Sequence, residues 1–149
     1  ALLIGINKYQ HLNPWKNLNY SIADVEAVYT FLTEDLKVPP SNIKRLTASD
    51  ATRAAILHEL EALALNQSIK HDDPILIYYA GHGSRGPPPA EWNVHDAKIE
   101  YIVPYDCSKD TPAIPDRTIA ACLDGIAKLK GNNITVILDC CNSGSGTRG

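Results

Sequence analysis

Apolar residues are distributed along this chain in two kinds of block. Some are solid runs: "ALLIGI" over 1–6, "DPILIYYAGHGS" over 73–84 and "NITVILDCC" over 133–141, with shorter runs "IKRLT" (43–47) and "IEYIVPYD" (99–106). Others recur every three or four positions. Ile22, Val25, Val28, Tyr29 and Leu32 do so within 21–36, and Ile56, Leu57, Leu60, Leu63 and Ala64 within 52–66. The spacing predicts amphipathic helices there and a third over 116–130. "VPPSN" breaks the first helix, and polar loops are expected over 7–20, around Pro14 and Trp15, and over 85–98, around Pro87, Pro88 and Pro89.

Strands that are apolar throughout, alternating with helices, imply a mostly parallel sheet covered on both faces. The expected fold class is therefore α/β, a three-layer sandwich. Its 149 residues match one domain, and no linker or internal repeat divides them. "ALLIGI" already reads as the middle of a buried strand, which is expected of a segment cut from a longer polypeptide.

Composition narrows the function classes. The net charge of −3, with acids and bases mixed, gives no electrostatic footprint for nucleic acid. No apolar run approaches the roughly 20 residues of a membrane-spanning helix, so no membrane partner is expected. The four cysteines (Cys107, Cys122, Cys140, Cys141) show neither a disulfide framework nor a C-x-x-C zinc spacing. A reduced, cytoplasmic protein without a bound metal is the expectation.

Two strands end in unusual polar groups. One runs into Gly81-His82-Gly83 and the other into Asp139-Cys140-Cys141. Ligands of open α/β sheets bind beyond the carboxyl ends of the strands. If these two strands are neighbours, an imidazole and a thiol share one rim, as nucleophilic thiol catalysis requires. Successive strand residues face opposite ways. Cys140 points with Val136 and Leu138 and continues an apolar row, whereas Cys141 points with Asp139 and opens the turn "CNSGSG". Parity favours Cys141 as the nucleophile. The N–H groups of Gly83 and Cys141 could together hold a developing oxyanion.

"YYAGHGS", followed about sixty residues later by "ILDCCNSGSGTR", resembles the caspase-like cysteine proteases (peptidase family C14). "LLIGINKY" looks like the first strand of that fold and "ADVEAVYTFL" like its first helix. The resemblance implies the large-subunit portion of the catalytic domain over 1–149, a protein or peptide substrate, and a downstream small-subunit segment as partner. It implies His82 and Cys141 as the catalytic pair. Among the branches, the type I metacaspases are most similar. They carry aspartates at the positions of Asp24 and Asp139, and the resemblance implies that this pair binds an arginine or lysine before the cleaved bond. Paired carboxylates suit a guanidinium.

The chain departs from that pattern in places. Asn142 stands where the motif usually has histidine, and Ser21 where many metacaspases have cysteine. Many relatives bind activating calcium through an acidic cluster in the loop after the histidine, where this chain has only Glu91 and Asp96, so no cofactor is expected. Arg148, the one basic residue of the glycine-rich segment after Cys141, is a candidate processing site of a zymogen.

Plainer roles compete for each residue. Asp24 also completes a capping-box-like pattern with Ser21 as helix N-cap, and Asp139 can cap a turn. Cys107, Cys122 and Cys140 are assigned to packing, and His11, His58, His71 and His95 to the surface. The competing functions are a catalytically idle caspase-like interaction module within a signalling protein, and a redox sensor built on the vicinal cysteines. The redox sensor needs a strained disulfide between neighbours that face opposite ways.

Overall fold

A computed structural model describes residues 1–11, 14–92 and 98–140. Strand β1 (Leu2–Gly5) leads through a long loop to helix α1 (Ser21–Thr30), which ends in a π-helical turn over Phe31–Asp35. Then come β2 (Lys44–Thr47), α2 (Arg53–Leu65), β3 (Ile75–Ala80), β4 (Gly83–Gly86), β5 (Ile99–Ile102), β6 (Ile114–Pro115), α3 (Asp116–Lys130) and β7 (Ile134–Asp139).

Four strands form the central sheet in the order β2-β1-β3-β7, and every pairing is parallel. Its two faces bury different rows. Leu2, Ile4, Ile77 and Tyr79 pack with Ile56 and Leu60 of α2 and with Ile119 and Ile126 of α3. Leu3, Tyr78 and Ala80 pack with Val25 and Leu32 from the α1 segment. The α/β sandwich expected from the solid apolar runs is thus present in three layers. Each large aliphatic side chain buried in these rows contributes roughly 1.5–3 kcal/mol.

Local chemistry sets the helix ends. Thr52 Oγ1 accepts from the Ala55 N–H at 3.2 Å, an N-cap for α2. Helix α3 begins with Asp116, closes with Lys128 and Lys130, and stops at Gly131 with φ 87°. The buried Lys130 sends its Nζ to the carbonyls of Asn66 and Ile69 at 2.7 and 2.9 Å, tying the end of α3 to the segment after α2. Helix α1 corrects the sequence expectation. Ser21 is its first helical residue rather than its N-cap, and the position before it is Tyr20, whose side chain makes no capping bond. The cap comes from Asn7, whose Oδ1 accepts from the Ile22 N–H at 3.1 Å.

The segment after His82 also differs from the expected loop. Residues 83–86 form β4, antiparallel to β5, and β6 completes a small sheet beyond the carboxyl end of β3. "GSRG" carries no apolar alternation, so nothing in its composition marks a strand.

Candidate active site

The two motif-bearing strands are hydrogen-bonded neighbours. Strand β3 pairs with β7 from Ile75↔Ile134 through Ala80↔Asp139. This puts the Gly-His-Gly turn and the end of β7 on one rim of the sheet.

His82 is held on several sides. Its backbone N–H donates to Tyr9 Oη at 2.7 Å, and its carbonyl accepts from Tyr79 Oη at 2.8 Å. The imidazole lies between two aromatic rings, with centroids 5.0 Å from Tyr9 and 5.6 Å from Trp15. Its Nε2 is 2.7 Å from the Lys16 carbonyl oxygen. A carbonyl only accepts, so Nε2 carries the hydrogen in this contact and Nδ1 is the basic nitrogen of the neutral ring.

A cavity of about 300 Å³ opens beside the imidazole. Ser21 and Asp24 of α1, Ala80 and His82 at the end of β3, and Asp139 of β7 line it, with residues 18–20 at its margin. The two aspartates singled out in the sequence therefore share one recess with the histidine. Tyr78, on the same face, donates to Asp139 Oδ2 at 3.3 Å. Burial first, then the Asp139 carboxylate, and lastly the Asp24 charge push the Tyr78 phenol up to about 12.

Cys140 faces the other way, as parity required. It packs against the cluster of Ile77 and Tyr79 on the α2–α3 side. There it lines a larger cavity of about 340 Å³ with Ile102, Ile119, Leu123, Val136 and Leu138. That cavity is mostly apolar, and His82 does not line it, so size does not mark the chemical site here. Cys107 and Cys122 belong to the same core cluster, and burial raises both thiols above their ordinary value. His11, His58 and His71 are exposed.

Gly83 is buried and opens β4 opposite Ile102. Cys141, Asn142 and Arg148 lie outside the described residues, as do His95 and Asp96. Among the described residues no group of three or more His, Cys, Asp or Glu side chains could hold a metal ion.

Tyr9, Trp15, Tyr79 and the Lys16 carbonyl had no signal of their own in the sequence. Tyr9 and Trp15 fall in a polar loop, and Tyr79 reads as one more apolar residue of a buried strand.

Residues 1–149 match the family model of the caspase domain, peptidase family C14. The chain belongs to the caspase domain family. Two curated members resemble it, both from Arabidopsis thaliana. Metacaspase-7 is 28% identical over 147 residues, covering 97% of this chain and 34% of that protein. Metacaspase-6 is 31% identical over 149 residues, covering 97% of this chain and 38% of that protein. The chain thus spans little more than a third of the length of these relatives. A crystal structure of a Geobacter sulfurreducens protein superposes with a TM-score of 0.72 at 24% identity, covering 97% of this chain and 51% of the other. That likeness bears on the fold alone. Membership of a cysteine peptidase family fits a rim on which a histidine and a cysteine-bearing strand end meet.

Proposed function

We propose that this caspase-like domain acts in a cysteine endopeptidase that cleaves after arginine or lysine, with Cys141 as nucleophile and His82 as its acid–base partner. The observation that carries the reading is the single recess shared by His82, Asp24 and Asp139 at the paired ends of β3 and β7.

In this scheme His82 Nδ1 takes the proton of the Cys141 thiol while Nε2–H stays on the Lys16 carbonyl. The thiolate attacks the scissile carbonyl, and the N–H groups of Gly83 and Cys141 receive the oxyanion. The imidazolium returns its proton to the leaving amine, and the C–N bond breaks to give a thioester. Water, deprotonated by His82, then attacks the thioester, releasing the acid and the thiol. Asp24 and Asp139 bind the cationic side chain before the cleaved bond, where two carboxylates match the donors of a guanidinium better than a point charge does. Protein substrates, a downstream small-subunit segment of the same polypeptide, and processing after Arg148 belong to this reading.

Peptide hydrolysis by the complete polypeptide tests it. Activity that is lost in both Cys141→Ala and His82→Ala, with the fold retained, is the expected result. Undiminished turnover in either variant sinks the proposed dyad.

A further inference from the structure

His82 sits in a gap between strands. Strand β3 ends at Ala80 and β4 begins at Gly83, so the backbone of His82 falls between two ladders. Two phenols fill the gap, together with the Val103 N–H, which donates to the His82 carbonyl at 3.1 Å. Tyr9, from the loop after β1, accepts from the His82 N–H at 2.7 Å, and Tyr79 donates to the His82 carbonyl at 2.8 Å. Tyr79 Oη also lies 3.0 Å from the Val103 carbonyl and accepts from the Val103 N–H at 3.3 Å. The ring of Tyr9 additionally lies 5.0 Å from the imidazole, tilted by 33°.

Both tyrosines are almost wholly inside, at 4% and 1% exposure. A buried hydroxyl is unfavourable unless it is hydrogen-bonded, and phenylalanine would fill the same space without that demand. The Tyr9 hydroxyl meets that demand at the His82 N–H, and the Tyr79 hydroxyl meets it at the His82 and Val103 backbone. Gly81 shows how tightly the arrangement is built. A Cβ there would lie 2.6 Å from Tyr79 Oη and 3.2 Å from Tyr9 Oη, so a larger residue at 81 would displace both phenols.

We propose that the Tyr9 hydroxyl is a positioning group for His82: it fixes the backbone of the turn, and through it the direction of the imidazole, without touching substrate. The proposal rests on the reading of His82 and Cys141 as a catalytic pair. Tyr9→Phe keeps the ring against the imidazole and removes only the hydroxyl. The His82 N–H then loses its acceptor, and the turn relaxes to find another. An ångström of misplacement at a catalytic group can lower a rate by about a hundredfold. One lost backbone bond should therefore lower it by about tenfold.

The test is alkylation of Cys141 by iodoacetamide in the complete polypeptide, at about pH 7 and about pH 10, beside kcat and KM for a peptide. An unaided thiol is mostly ionised at about pH 10 and hardly at about pH 7, so only the neutral rate reports on help from His82. Tyr9→Phe should lower the neutral labelling rate and kcat by about tenfold each, with KM and the alkaline rate nearly unchanged. Tyr79→Phe, which leaves the His82 carbonyl with the Val103 N–H as donor, should act in the same direction and serves if the first variant folds poorly. Neutral labelling equal to wild type in both variants overturns the proposal. So does an equal fall at both pH values that tracks lost thermal stability, because it indicates a role in folding alone. His82→Ala separates the two levels. If neutral labelling of the otherwise wild-type chain does not depend on His82, the catalytic pair fails and the positioning role fails with it. If it does depend on His82 and the tyrosine variants are silent, only the positioning role fails.

Discussion

Tyr78 and Asp139 lie on neighbouring strands of one sheet face, and the Tyr78 hydroxyl points at Asp139 Oδ2 across 3.3 Å. Tyr78 itself is 6% exposed, whereas Asp139 stands at the open end of β7. The contact anchors one carboxylate oxygen and leaves the other side of the group facing the recess beside His82. Tyr78→Phe should therefore weaken cleavage after arginine more than after lysine, because a bidentate fork needs a fixed carboxylate and a point charge does not. A drop of about threefold to tenfold in the arginine-to-lysine ratio of kcat/KM is expected from the loss of one such bond. An unchanged ratio would mean that Asp139 is oriented by other groups.

Cys140→Ala should retain most peptide hydrolysis. Its side chain packs on the α2–α3 face, in the cluster of Tyr79 and Ile77. A stability loss of about 1 kcal/mol or less is expected for trimming a small, half-buried side chain beside a cavity. Circular dichroism melting and peptide turnover on the same preparation check both parts. Abolished turnover with an unchanged melt would reassign the nucleophile.

Gly5→Ala tests the packing of α1 onto the sheet. A Cβ at residue 5 would stand 2.8 Å from Val25 Cγ2 and 2.9 Å from the Ser21 carbonyl. Because one of these atoms is backbone, α1 must move away, and overpacking of this kind destabilises by roughly 1–3 kcal/mol. Asp24 rides on α1, so activity towards basic peptides should fall as well. Urea unfolding that shows no change would contradict the close approach of α1 and β1.

Alkaline pH should unfold the domain in step with its buried phenols. Burial, ahead of any other cause, pushes Tyr9 and Tyr78 up to about 12, and raises Tyr79 well above its ordinary value. The folded chain favours the protonated phenol, so this contribution to stability is fully present below about pH 10, the ordinary tyrosine value. It is lost as pH rises through about 12. Ultraviolet titration should show Tyr9, Tyr78 and Tyr79 ionising late, together with loss of the fold. Ionisation of these three phenols near pH 10, with the fold intact, would contradict it.

Much of this arrangement was legible in the chain. Solid apolar runs announced buried parallel strands, and helical spacing located all three helices, with α3 matching 116–130. Strand parity puts Cys140 on the face of Val136 and Leu138, where it packs. What stayed hidden depends on tertiary contact. Asn7 caps a helix that begins fourteen residues later, so no local pattern connects them. Strand β4 is "GSRG", which forms because β5 offers it a ladder, not because its residues favour one. The phenols around His82 reach it from the loop after β1 and from within β3 itself. Asp24 and Asp139 could be paired in the sequence only through a family resemblance. The fold adds the physical reason, because α1 packs on the face of β1 and β3 that carries Ala80, the partner of Asp139.

The most direct measurement of the central claim is a cleavage profile of the complete polypeptide on a peptide library, run beside Asp139→Ala and Asp24→Ala. Arginine or lysine should occupy the position before the cut bond, and each variant should lose about 2–4 kcal/mol of discrimination against neutral residues, the range for removing one partner of a charge-assisted pair. For Asp24→Ala the helix should weaken by no more than about 1 kcal/mol, because the carboxylate sits in the first turn without capping it. A wild-type profile that prefers aspartate, or one indifferent to both carboxylates, would contradict the reading of this recess as a basic-residue pocket.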